Sequence, residues 1–131
     1  MKILIIDDDQ HVANLLSHYL KSGGHGVLCA DNGRDGLEMA IVEPVDLIIL
    51  DRGLPENIDG IYLLKILRAD NNQTPVLIIS GHATLLDQIE GFRAGTDDYL
   101  SKPFSLMELD KRIEAIATGR RALAALPAGS A

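Results

Sequence analysis

The stretch Asp46-Leu47-Ile48-Ile49-Leu50-Asp51-Arg52-Gly53-Leu54-Pro55 decides how this chain folds. Four aliphatic residues in succession, with no polar position among them, describe a strand buried on both faces, and such strands belong to parallel sheets covered by helices on each side. The run ends on a carboxylate, with Gly53 two residues on and Pro55 four, so the strand gives way to a loop at Asp51. Outward from this segment the pattern recurs at Ile3 to Ile6, Val27 to Ala30 and Val76 to Ile79, with a shorter run at Tyr99-Leu100.

Helical periodicity fills the intervals. Val12, Leu15, Leu16, Tyr19 and Leu20 share one face of a first helix, and Leu106, Leu109, Ile113 and Ile116 share one face of the last. The second helix is expected to turn Leu37, Ala40 and Ile41 inward, the third Leu63, Leu64 and Leu67, and the fourth Leu85, Ile89 and Phe92. Gly23-Gly24 closes the first helix, and Ser105 with Glu108 carries the capping-box spacing that opens the last. The alternation predicts an α/β domain: an open, doubly wound parallel sheet of five strands with five helices. Residues 1–118 form the domain, and residues 119–131, which lose the helical period and gain Gly, Pro and Ser, read as a tail or linker.

A chain of 131 residues that is 47% hydrophobic and 24% charged has enough apolar material for one core, which excludes a disordered polymer. No apolar run approaches the roughly 20 residues of a membrane span, and the first residues lead straight into a strand, so the cytoplasm is the expected location. A net charge of -7 opposes direct nucleic-acid binding and contact with anionic membranes. The single cysteine, Cys29, has no partner for an internal disulfide and reads as an inert strand residue.

Chemistry gathers where the strands end. The first runs into Asp7, Asp8 and Asp9, the third into Asp51, the fourth into Ser80, and the fifth is followed by Lys102-Pro103. Each alone has an ordinary structural explanation, since Asp caps helices, Ser makes turns and Lys is usually solvated. Together they are specific. Adjacent strands lie about 4.8 Å apart, which brings Asp7 or Asp8 close to Asp51. Crowded carboxylates either take up protons or share a hard cation with oxygen ligands, and Mg2+ suits such a set. With Lys102 and Ser80 added, the groups surround the place where a phosphoryl group on Asp51 would sit.

These residues resemble the receiver domain of two-component response regulators, from Lys2 to about Ile116. The matching stretches are ILIIDDD, DLIILDRGLP, PVLIISGHA and GTDDYLSKPF. The resemblance implies a flavodoxin-like strand order of 2-1-3-4-5. It makes Asp51 the phosphoacceptor, assisted by Lys102 and Ser80, and makes Asp7, Asp8, Asp51 and the Gly53 carbonyl the Mg2+ site. It also implies a cis Lys102-Pro103 bond, and a switch pair of Ser80 and Tyr99 that reshapes the fourth helix, fifth strand and fifth helix. The implied partner is a sensor histidine kinase or phosphotransfer protein, and the domain catalyses its own phosphorylation and dephosphorylation rather than acting on a separate substrate.

The segment GFRAGTDDYLSKPF is most like receivers of winged-helix transcription factors, which implies a homodimer through the same surface, with Asp97 or Asp98 facing Arg112; Gln88 departs from the basic residue those proteins often carry. Gly53 and His82 occupy positions that tune phosphoryl lifetime in that family. Two other classes fit less well. A flavin or nucleotide binder wants a Gly/Ser-rich phosphate cradle where this chain has Asp7-Asp8-Asp9, and a phosphatase using those aspartates leaves Asp51 without a role.

Overall fold

The computed structural model describes the backbone of residues 1–125 and the side chains of residues 1–119. Five strands, β1 (Lys2–Ile6), β2 (Gly26–Ala30), β3 (Leu47–Asp51), β4 (Val76–Ser80) and β5 (Asp98–Ser101), alternate with α1 (Gln10–Ser22), α2 (Gly33–Val42), α3 (Gly60–Ala69), α4 (Leu85–Ala94) and α5 (Leu106–Ala125). All strand pairs are parallel, in the order β2-β1-β3-β4-β5. The parallel sheet is the one expected from the alternating runs, and its order is the flavodoxin-like one that the resemblance implied.

The unbroken apolar runs follow from the two-residue period of a strand. Ile3, Ile5, Leu47, Ile49, Leu77 and Ile79 pack with Leu16, Leu20, Leu109 and Ile113 of α1 and α5. Leu4, Ile6, Ile48, Leu50, Val76 and Ile78 pack on the opposite face with residues of α2, α3 and α4. Both faces are therefore covered, and only an aliphatic side chain is comfortable at any position of β1, β3 or β4.

Several expected inward positions face solvent instead. Leu15 and Ile41 are exposed at the margins of α1 and α2, where Ala13 and Ala40 occupy the buried positions. β2 is an edge strand in which only Ala30 is fully buried, so Cys29 lies at the surface. The largest departure is α4: Leu85 is 74% exposed, Phe92 48% and Ile89 37%, and the buried residues are Gly91 and Ala94. A Cβ at Gly91 would stand 2.9 Å from Tyr99 Cδ2, so the helix backbone rests against the aromatic ring and its larger side chains turn outward. α5 continues through Gly119 to Ala125, beyond the point where its apolar period fades, and the remainder of the proposed tail lies outside the described residues.

Candidate functional site

β1 and β3 lie side by side with Ile6 opposite Leu50, so the residues that follow, Asp7 and Asp51, emerge together at the carboxyl edge of the sheet. The three successive aspartates have three different tasks. Asp7 is fully buried, and its Oδ1 accepts a hydrogen bond from the Asp9 amide at 2.9 Å. Asp8 is exposed at the rim. Asp9 caps α1, its Oδ1 accepting from the amides of His11 and Val12. Carboxylate oxygens of Asp7, Asp8 and Asp51 all lie within 4.8 Å of one another.

Asp51 is 7% exposed. Its Oδ1 accepts from the Gly53 amide at 3.2 Å, and its Oδ2 accepts from Lys102 Nζ at 3.2 Å. The start of α3 presses against the same strand end. A Cβ on Gly60 would lie 2.6 Å from the Asp51 carbonyl oxygen, and the Gly60 amide donates to the Arg52 carbonyl at 2.7 Å, so only glycine admits this approach.

Lys102 Nζ also stands 3.6 Å from Asp7 Oδ2, a buried oxygen without a hydrogen-bond partner. Burial pushes the Asp7 carboxyl up to about 6; the charge of Asp51 adds to this, while the Asp9 amide and Lys102 oppose it. Burial works against the Lys102 charge, but Asp51 and Asp7 outweigh it and hold the ammonium above its ordinary range. One lysine faces two carboxylates, with a third at the rim and one oxygen unsatisfied. That donor set, oxygen-only and anionic, fits a hard divalent cation.

The remaining sequence-predicted residues fall around this cluster. Ser80 is buried at the end of β4, its Oγ accepting from the His82 amide at 2.9 Å, and its carbonyl accepts from the Lys102 amide at 2.8 Å. The Lys102-Pro103 bond is cis. Tyr99 lies on β5 with its ring buried, and its hydroxyl donates to the His82 carbonyl. Gly53 begins the loop after Asp51 and pairs with Asp59 as an isolated bridge. Arg112 bonds both carboxylate oxygens of Asp98 at 3.1 Å, so the pair considered for a dimer interface closes within one chain.

Arg52 had no assigned role in the sequence, yet it is the most heavily bonded side chain near the site. Its side chain is 9% exposed and reaches Asp59, Asp87, Glu90 and the Tyr99 hydroxyl. Burial works against its charge, but Tyr99, Asp59 and Glu90 outweigh burial and hold the guanidinium protonated. No local signal announces these contacts, because Asp87 and Tyr99 lie 35 and 47 residues away along the chain. Gly60 and Gly91 were likewise silent in the sequence, their purpose being set by what approaches them.

Fold and site together define an α/β domain with a carboxylate pocket at the carboxyl edge of its sheet. The model of the response regulator receiver domain matches residues 3–114, and the chain belongs to that family. It is 38% identical over 115 residues to the alkaline phosphatase synthesis transcriptional regulatory protein PhoP of Bacillus subtilis, covering 88% of this chain and 48% of that protein. It is 39% identical over 116 residues to the cell cycle response regulator CtrA of Brucella ovis, covering 88% and 50%. The chain thus spans about half the length of these curated relatives. Among solved structures, the receiver domain of the Francisella response regulator 1452 superposes with a TM-score of 0.85 at 37% identity, covering 91% of this chain and 98% of that one.

Proposed function

We propose that residues 1–118 act as a phosphorylation-dependent switch that accepts a phosphoryl group on Asp51 from a phosphohistidine of a sensor kinase or phosphotransfer protein. The observation that carries this reading is the setting of Asp51. Its carboxylate is buried beside Asp7 and Asp8, within reach of Lys102, at the carboxyl edge of the sheet. In the transfer an Asp51 oxygen forms a bond to phosphorus as the bond from phosphorus to the donor imidazole nitrogen breaks, leaving an aspartyl phosphate. Lys102, released from the carboxylate charge, neutralises a phosphoryl oxygen, and the Ser80 hydroxyl donates to another.

Asp7, Asp8, Asp51 and the Gly53 carbonyl are the residues that would hold Mg2+, which when bound would neutralise charge on the phosphoryl oxygens. The domain supplies the catalytic groups for its own phosphorylation and dephosphorylation and has no separate substrate. Ser80 and Tyr99 are the switch pair, and the surface of α4, β5 and α5 is the output. The exposed Leu85, Leu86 and Phe92 on α4 support contact there with a partner, an attached domain or a second copy. The named roles of PhoP and CtrA support an output in transcription, and the charge of -7 favours exerting it through protein contact rather than direct DNA binding. No described helix is long and apolar enough to cross a membrane, which agrees with a cytoplasmic site of action.

Intact-protein mass after incubation with acetyl phosphate and Mg2+ tests the reading. One added phosphate is expected, lost in Asp51→Asn and in the presence of a chelator. Label that survives Asp51→Asn, or no label under any condition, would overturn it.

A further inference from the structure

The Arg52 guanidinium is spent entirely on groups outside the acid cluster. Nε donates to both carboxylate oxygens of Asp59, at 3.2 and 3.3 Å. Nη1 donates to the Asp87 carbonyl at 3.1 Å and to the Tyr99 hydroxyl at 3.4 Å, and stands 3.9 Å from Asp87 Oδ1. Nη2 reaches Glu90 Oε1 at 2.9 Å. The acceptors belong to three different elements. Asp59 caps α3, Asp87 closes the capping box of α4 with Thr84, and Tyr99 sits on β5.

Two features make this arrangement consequential. First, α4 has little else to hold it, because the only residues it buries fully are Gly91 and Ala94. Second, Asp59, Asp87 and Glu90 converge on a single cation, and without it three carboxylates would face one another and push α4 outward. A planar fork with five donors suits four acceptors on three elements; a lysine point charge does not.

We propose that Arg52 is a positioning residue of the switch: its guanidinium fastens α4 and the inward Tyr99 ring to the segment carrying Asp51, and so sets the resting position of the α4 surface. The inference rests on reading Ser80 and Tyr99 as the switch pair. Arg52 directly follows the proposed phosphoacceptor, so any displacement of Asp51 is delivered to α4 through one residue. By linkage, the arrangement of α4 and the modification of Asp51 bias each other by the same factor.

The test compares the full chain with Arg52→Met, Arg52→Lys and Glu90→Gln, without phosphodonor, by hydrogen exchange of backbone amides and by NMR of labelled tyrosine rings, with Tyr99 assigned from Tyr99→Phe. In Arg52→Met the α4 amides are expected to exchange about tenfold faster or more, as loss of charged hydrogen bonds implies. The β1 and β3 amides stay protected and the Tyr99 resonance moves. Arg52→Lys falls between, and Glu90→Gln shifts α4 in the same direction by less. In a Tyr99→Phe background the effect of Arg52→Met on α4 is smaller, because the two side chains share a hydrogen bond. A displaced Tyr99 resonance with β1 and β3 still protected is the readout that a general loss of stability would not give.

Exchange of α4 within about twofold of the parent, with the Tyr99 resonance unmoved, would overturn the assignment. Should Arg52→Met not fold, Glu90→Gln decides by the same two readouts. Mass after acetyl phosphate and Mg2+ on the same samples reports on Asp51 separately. An unlabelled parent overturns the phosphoacceptor reading, whereas unmoved α4 and Tyr99 signals overturn the role of Arg52.

Discussion

Helices α3 and α4 have the same length and lie on the same face of the sheet, with five and three large aliphatic residues respectively, yet they are attached by different forces. α3 inserts Ile61, Leu63, Leu64 and Leu67 into the core. α4 leaves Leu85 and Leu86 in solvent and touches the domain through Gly91, Ala94 and the Arg52 bonds. Apolar insertion is costly to undo and indifferent to charge. Polar ties are individually modest and can be exchanged for others when a nearby charge changes. The proposed switch needs an element that can move in answer to a modification, and attachment of the second kind permits that in α4.

The comparison breaks most visibly at Leu64. Leu64→Ala is expected to destabilise the domain by about 2–5 kcal/mol, the usual cost of emptying a fully buried site, measured by denaturant unfolding. A loss well below that would mean α3 is no better anchored than α4. Next come the two tight glycines. Gly60→Ala drives a methyl against the Asp51 backbone, which has nowhere to go, and should cost on the order of 1–3 kcal/mol. Gly91→Ala meets the Tyr99 ring instead, which can swing away, so it should cost less stability but displace the Tyr99 resonance.

A third way to sharpen the contrast uses pH. The Asp7 carboxyl is pushed up to about 6 in the fold, against an ordinary value of 3.8, because burial and Asp51 oppose its charge. The folded state therefore holds this proton more tightly than the unfolded state between those values. The sign follows: with divalent ions chelated, this group's stabilising contribution is present at low pH and is lost as pH rises through about 6. Asp7→Asn should raise the melting temperature at pH 7 by on the order of 5 °C and flatten that part of the profile, read by thermal unfolding in chelator. A fall in melting temperature would show that the Asp7 charge is well compensated. The smallest effect is expected from Leu86→Ala on α4, within about 0.5 kcal/mol, because its side chain is in water in both states.

The acid site was legible because its residues end strands whose apolar runs are unmistakable. Once Ile3 to Ile6 and Leu47 to Leu50 are neighbouring strands of one parallel sheet, as the resemblance implied, Asp7 and Asp51 must meet. α4 was misread for the opposite reason. Its period places Leu85, Ile89 and Phe92 on a common face, and periodicity cannot tell a face turned to the core from one turned to solvent when glycine and alanine permit the closer approach. Leu15 and Ile41 erred in the same way, with Ala13 and Ala40 taking the inward positions.

By itself the sequence determined the sheet and its helices on both faces through local period, and the gathering of Asp7, Asp8, Asp51 and Lys102 through strand-end position together with the strand order that the resemblance implied. Only the tertiary structure decided which face α4 presents, where the Asp98–Arg112 pair closes and what Arg52 holds. Those outcomes depend on close approach and on charges brought together from distant parts of the chain, and neither leaves a periodic trace in the order of residues.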